Sequence, residues 1–174
     1  MDLKTIRAEK DAFFAHHPQS PLTREQKKIF QALEYFPEAP ELKLEVTVEH
    51  FPEKQVVHFQ TSTGDIQTYQ RYGRFHFQVD GQEAELTIYA DQHGFFLPFV
   101  DSLAGMQTYP AGRYLEPTLL PDGKFLVDFN LAYNPYCAYN DSWSCPLTPP
   151  ENRLKVAIRA GEKIFTHENK QELT

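Results

Sequence analysis

Between Phe129 and Pro150 the chain carries one formal charge, Asp141, yet holds three asparagines, three tyrosines and its sole tryptophan. Asn152 follows closely, so four of the five asparagines of the whole chain lie between residues 130 and 152. A solvated loop usually carries more charge, and a plain core segment fewer amides. Uncharged amides beside aromatic rings suit a partly buried polar pocket, where each donor and acceptor needs a partner. In the segment leading in, Val127-Asp128-Phe129-Asn130-Leu131-Ala132, the side chains alternate in character. A strand here puts Val127, Phe129 and Leu131 on one face and Asp128, Asn130 and Ala132 on the other. The second face is either an ordinary solvent face or a pocket wall, with Asp128 and Asn130 as hydrogen-bonding groups and Ala132 leaving space. Asn134-Pro135 then breaks the strand, and Cys137, Tyr139, Asn140, Trp143 and Cys145 decorate a proline-stiffened loop. Such a loop serves as a ligand wall, or equally as a plug whose asparagines satisfy irregular backbone.

Cys137 and Cys145 are separated by seven residues, a spacing that fits neither a close zinc knuckle nor a redox pair. Buried free thiols are the default reading. A nucleophilic Cys137 needs an activating base, and the sequence nominates none. The seven histidines, at 16, 17, 50, 58, 76, 93 and 167, share no ligand spacing with one another or with a cysteine. No metal or cofactor is therefore expected. Serine-triad patterns, phosphate-cradling glycine loops and the helical zinc-protease motif are absent from the sequence. Arg113, between Tyr109 and Leu115, sets one guanidinium among aromatic residues. It pairs with Asp128 as structure, or with an anionic ligand as function. Asp101 and Glu162 are further carboxylates, and no spacing rule says which of them meet.

Positioning these groups falls to a mainly β chain. At the N-terminus Leu3, Ile6, Phe13 and Phe14 lie near a helical stripe, while Lys4, Arg7, Glu9 and Asp11 fall mostly elsewhere. Thr23-Arg24-Glu25-Gln26 is a capping-box pattern, opening a second helix with Ile29, Phe30 and Leu33 as its apolar face, closed by Pro37 and Pro40. From Leu42 the period changes to two: Leu44, Val46 and Val48, then Val57 and Phe59, then Phe75, Phe77 and Val79. Asp80-Gly81 predicts a tight hairpin into Leu86 and Ile88. Residues 95–100 form an apolar strand in which Pro98 demands an edge or a bulge. Residues 125–133 and 154–158 complete seven or eight strands. The fold expected is mainly β, an antiparallel barrel or sandwich with two short N-terminal helices. The reading takes residues 1–174 as a single domain, with a helical brace at 1–40, a β body at 41–166 and a frayed polar end at 167–174.

Seventeen Lys and Arg against 24 Asp and Glu give a formal charge of −7, which argues against nucleic-acid or anionic-membrane partners. Hydrophobic residues at 41% are too many for a disordered chain. No run of about 18 apolar residues occurs. The first ten residues lack the apolar stretch of a secretory signal, so a cytoplasmic location with reduced thiols is expected.

Several stretches carry a resemblance: Ala111-Gly112-Arg113-Tyr114-Leu115, the run from Asp128 to Asn140, Cys145-Pro146-Leu147, Pro149-Pro150-Glu151-Asn152-Arg153-Leu154, and Ala160-Gly161-Glu162-Lys163. Together they resemble the family called domain of unknown function 1684, strongly over residues 95–163, in what looks like a short bacterial form. Val100 stands where that family usually has arginine, and Pro110 where glycine is common. The resemblance implies no particular chemistry. The residues themselves favour a small-molecule-binding β-barrel domain, its ligand held by Arg113, Asp128, Asn130, Asn134, Cys137, Tyr139 and Asn152. The alternatives are a hydrolase-like enzyme using Asp128 or Glu162 with Cys137 as nucleophile, and a structural or partner-binding module. Whether the chain is an enzyme stays open at this point.

Overall fold

The computed structural model describes residues 1–166; the expectation for residues 167–174 lies outside them. Two helices, α1 (Leu3–His16) and α2 (Arg24–Ile29), precede the strands. The strands run β1 (Lys43–Val46), β2 (Glu49–His50), β3 (Val56–Gln60), β4 (Ile66–Val79), β5 (Gln82–Asp91), β6 (Gly94–Phe99), β7 (Arg113–Leu115), β8 (Thr118–Leu119) and β9 (Phe125–Asp128). All pairings between these strands are antiparallel. One sheet has six strands in the order β2-β4-β5-β6-β7, with β3 also on β4; the other is β1-β9-β8. No closed barrel forms among the described residues.

Local chemistry accounts for the long central hairpin. Asp80 and Gly81 both take positive φ, 51° and 77°, the geometry whose twist matches that of the flanking strands. Val79 and Gln82 therefore face each other, and the register runs on through Phe75 opposite Leu86. Inward positions of both sheets meet in one core that includes Val46, Phe75, Phe77, Leu86, Ile88, Leu97, Phe99, Phe125, Val127 and Phe129. Phe129 sits at its centre, 5.4 Å from the Phe77 ring and edge-on to Phe99 at 5.3 Å. Pro98 lies where β6 changes partner. Gly94 to Phe96 pair with β5, whereas Leu97 to Phe99 pair with β7.

Several expectations need correction. The strand expected over 125–133 ends at Asp128, and residues 129–131 form a 3-10 turn. The Asp128 carboxylate accepts the Asn130 N–H at 3.0 Å and so caps that turn. The two-faced alternation fails as a result: Leu131 is exposed while Asn130 and Ala132 are buried. Residues 154–158 form no strand, because their main chain is held by other means. Asp101 Oδ2 accepts the Ile158 N–H at 2.8 Å, and Val156 O accepts the Ser102 N–H at 2.9 Å. Of the Leu44–Val46–Val48 alternation, Leu44 and Val46 lie in β1, while Val48 falls in the break between β1 and β2. The Thr23 capping box forms, but α2 stops at Ile29, short of Leu33 and Pro37.

On α1, Arg7, Lys10 and Asp11 belong to the partly buried stripe with Leu3, Ile6 and Phe14, not to the opposite face. A second apolar cluster, Phe14, Leu22, Leu33, Ala138 and Tyr139, joins the helical segment to the loop after β9.

Candidate functional site

The buried asparagines are bound to main chain. Where β6 leaves β5, the Asn152 side chain takes the place of a strand. Its Oδ1 accepts the Thr87 N–H at 2.9 Å, and its Nδ2 donates to Thr87 O at 2.9 Å and Pro98 O at 2.7 Å. Asn130 does the same for Ala39, accepting its N–H at 2.8 Å and donating to its carbonyl at 2.9 Å. Asn130 Nδ2 also reaches Asp128 Oδ1 at 3.0 Å. Each amide thus acts as a two-sided peptide mimic, satisfying groups that burial would otherwise penalise.

Arg113, 1% exposed, donates to the carbonyls of Ala160, Glu162 and Ile158, the last two at 3.0 and 2.9 Å. Its ionic partner is Asp101 at 3.7 Å, which corrects the pairing with Asp128 expected from sequence. Burial pulls the guanidinium down to about 10, against the opposing pull of Asp101 and Glu162. Arg113, Asn130 and Asn152 are therefore each committed to a different stretch of backbone.

Asn134 and Tyr139, by contrast, meet at Glu162. Gly161 presents that carboxylate with φ at +80°, and a Cβ there would lie 2.7 Å from Ala132 O and 2.8 Å from Phe129 O. Only glycine permits so close an approach of backbone to backbone. Glu162, itself 1% exposed, accepts the Tyr139 hydroxyl, Lys10 Nζ at 2.7 Å and the Asn134 N–H at 3.0 Å. Burial, with the Glu162 charge beside it, holds the Tyr139 phenol well above its ordinary range. Asn134 Nδ2 donates to Lys163 O at 3.0 Å, and its Oδ1 is buried without a hydrogen-bond partner among the described residues.

Beside this knot, Arg7 stacks on the Tyr35 ring at 4.5 Å, and its Nε and Nη2 are likewise buried and unpaired. Arg7, Lys10, Tyr35 and Glu162 border a cavity of about 40 Å³, of water-molecule scale. The sequence signal for this knot was the spacing of Arg7, Lys10 and Asp11 at helical intervals on the buried stripe. Polar residues there read as a solvent face.

The loop 134–148 has a different character. Its thiols, which their spacing set apart, lie side by side, with Cys137 N–H donating to Cys145 Sγ at 3.3 Å. The Tyr109 hydroxyl lies 3.7 Å from Cys137 Sγ. Hydrogen bonding with Cys145 and Tyr109 pulls the Cys137 thiol down to about 6 despite its burial. The Cys145 thiol is pushed up by the same contact and by burial.

Outside the thiols, Phe13, Pro18, Gln19, Ser20, Tyr136 and Trp143 line an open cleft of about 360 Å³. None of the six carries a charge. Trp143 is 39% exposed and meets the Tyr136 ring edge-on at 5.1 Å. Phe13 is held by stacking on His17 at 4.4 Å. Sequence reasoning singled out the loop that carries Trp143, but nothing local pointed to Phe13 or Gln19 as lining the same cleft.

Among the described residues, no three His, Cys, Asp or Glu side chains gather in a metal-holding group. No helix among them is long and apolar enough to cross a membrane. A family model described as protein of unknown function (DUF1684) matches residues 28–163. The solution NMR structure of an uncharacterized protein from Haloarcula marismortui is 39% identical over 95% of this chain and 92% of that one, with a TM-score of 0.69. No curated protein matches the chain.

Proposed function

The chain belongs to the DUF1684 family, whose description names no chemistry, and we propose from its geometry that it is a small-molecule-binding domain. In this reading the ligand sits in the cleft between α1 and the loop 134–148. The observation that carries it is Trp143, a large aromatic side chain left 39% exposed across a cleft from Phe13. Exposed large aromatic rings that face one another are the usual furniture of a recognition surface, and about 360 Å³ falls within the range of small-molecule pockets. The uncharged lining selects a flat, weakly polar, uncharged compound, with the exposed Gln19 amide supplying hydrogen-bonding groups at the rim.

Residues 1–40 then act as a brace that supplies one wall, and residues 41–166 as the β body that holds the other. The acidic balance of the chain favours this over a nucleic-acid partner. Among the residues singled out from sequence, Asn134, Cys137 and Tyr139 lie in or beside the loop and support it from behind. Arg113, Asn130 and Asn152 contribute by fixing the body.

Trp143 is the sole tryptophan, so its emission reads the cleft directly. Titrating a panel of uncharged planar heterocycles is expected to give saturable quenching or a blue shift for at least one of them. Gln19→Ala is expected to weaken that compound several-fold. Linear, unsaturable quenching across the whole panel, equal to that of free tryptophan, contradicts the proposal.

A further inference from the structure

The two thiols are a site in their own right, independent of what occupies the cleft. Cys145 is buried and clamped to the turn that follows β3. Its N–H donates to Ser62 Oγ at 3.1 Å, and its carbonyl accepts the Ser62 N–H at 2.9 Å. The next residues continue the clamp, with the Leu147 N–H on Gln60 O at 2.8 Å and Tyr114 donating to Pro146 O. Cys137 approaches from the other side on a 3-10 turn, residues 136–138, and is half-buried. Both thiols are free, and the Cys137 N–H donates to Cys145 Sγ at 3.3 Å, which brings that sulfur against the Cys137 main chain. The two cysteines are eight positions apart in sequence, and the fold brings the Cys145 sulfur within 3.3 Å of the Cys137 nitrogen.

We propose that Cys137 and Cys145 form a hydroperoxide-responsive dithiol, in which Cys137 attacks the peroxide and Cys145 resolves the product. The Cys137 thiolate sulfur attacks one peroxide oxygen. A sulfur–oxygen bond forms, the oxygen–oxygen bond breaks, and the other oxygen leaves as an alcohol, or as water from hydrogen peroxide, after taking a proton. The resulting sulfenic acid is then attacked by Cys145 sulfur. A disulfide forms, the sulfur–oxygen bond breaks, and hydroxide departs as water with the Cys145 proton. Two thiols are oxidised by two electrons and one hydroperoxide is reduced by two. A dithiol reductant returns the pair.

Exposure and electrostatics assign the roles in the same direction. Cys137 is the more exposed of the two residues, and its sulfur has the Tyr109 hydroxyl at 3.7 Å as a hydrogen-bonding neighbour. The titratable groups facing it are Cys145, Tyr109 and Tyr114, with Asp141 acting on Tyr109. Burial and the Cys137 contact push the Cys145 thiol up, which suits the resolving role. Attack by a thiolate is the step that selects among cysteines.

The test uses the reduced full chain, a small excess of hydrogen peroxide and intact-mass measurement after alkylation in denaturant. The expected result is a monomer lighter by two hydrogen atoms, with no alkylatable thiol, restored by dithiothreitol. Iodoacetamide labelling of the native chain should fall on Cys137, with a midpoint near pH 6. Cys145→Ser should retain a sulfenic acid that dimedone traps at Cys137, and Cys137→Ser should slow peroxide consumption roughly tenfold or more. Should either variant fail to fold, the wild-type mass and labelling carry the test alone. The proposal is overturned by a wild-type chain whose two thiols both stay alkylatable under peroxide. It is overturned equally by disulfides formed only between chains, or by labelling that starts only in the ordinary thiol range.

Discussion

Asn152 and Trp143 sit nine positions apart and show two opposite uses of neutral side chains. Asn152 is wholly buried, and its amide makes three hydrogen bonds to main chain, closing the gap that opens as β6 leaves β5. Trp143 stands in a loop tied down by Ser62 and Asn140, and presents its ring to solvent. The lesson is that an amide-rich, charge-poor stretch serves architecture where its groups are spent on backbone. It leaves an open face only where a ring such as Trp143 reaches solvent. A hydrogen-bonding side chain cannot do both jobs at once, because each donor or acceptor already engaged must be released before a guest is held.

The sharpest way to break that contrast is Asn152→Ala. It leaves the Thr87 N–H, the Thr87 carbonyl and the Pro98 carbonyl buried without this partner, at about 1–3 kcal/mol for each unsatisfied group. A loss of roughly 10 °C or more in Tm by calorimetry is expected. A Tm within a degree or two of wild type would mean the amide is not holding the sheet.

A second expectation concerns alkali. Burial raises the phenols of Tyr35, Tyr89, Tyr114, Tyr133 and Tyr139. Their folded values exceed their unfolded value of about 10. The stability they contribute is therefore complete below that pH and is lost as pH rises toward the folded values. Phenolate absorbance from these rings should appear together with unfolding, monitored by circular dichroism. A single smooth ionisation complete before unfolding would contradict it.

At the small end, Gln19→Ala removes an exposed side chain at the rim of the cleft and should change stability by less than about 0.5 kcal/mol. Its effect belongs to ligand affinity alone.

Short-range features were legible from sequence and long-range ones were not. The Asp80-Gly81 hairpin and the Thr23–Gln26 capping box are decided within four residues, and both form. The end of β9 depended on whether the Asp128 carboxylate caps its own chain or faces outward, a choice alternation does not encode. Glu162 draws Lys10 from 152 positions away, so a lysine on a helix surface and a carboxylate near the C-terminus gave no joint signal. The cysteines looked unrelated by spacing because the turn at Ser62, some eighty residues upstream, sets where Cys145 lies. The aromatic and uncharged character of the loop was legible, while the amides of Asn130 and Asn152 are occupied by main chain, which spacing does not encode.

The central claim is that recognition belongs to the cleft of Phe13, Tyr136 and Trp143 and not to the asparagine-rich interior. Amide and indole NMR spectra of the chain with a cleft compound test it most directly. The Trp143 indole N–H and the Gln19 side-chain amide should shift on titration while the Asn130 and Asn152 side-chain amides stay fixed. Shifts concentrated on those two asparagine amides, with the Trp143 signal unmoved, would contradict the account.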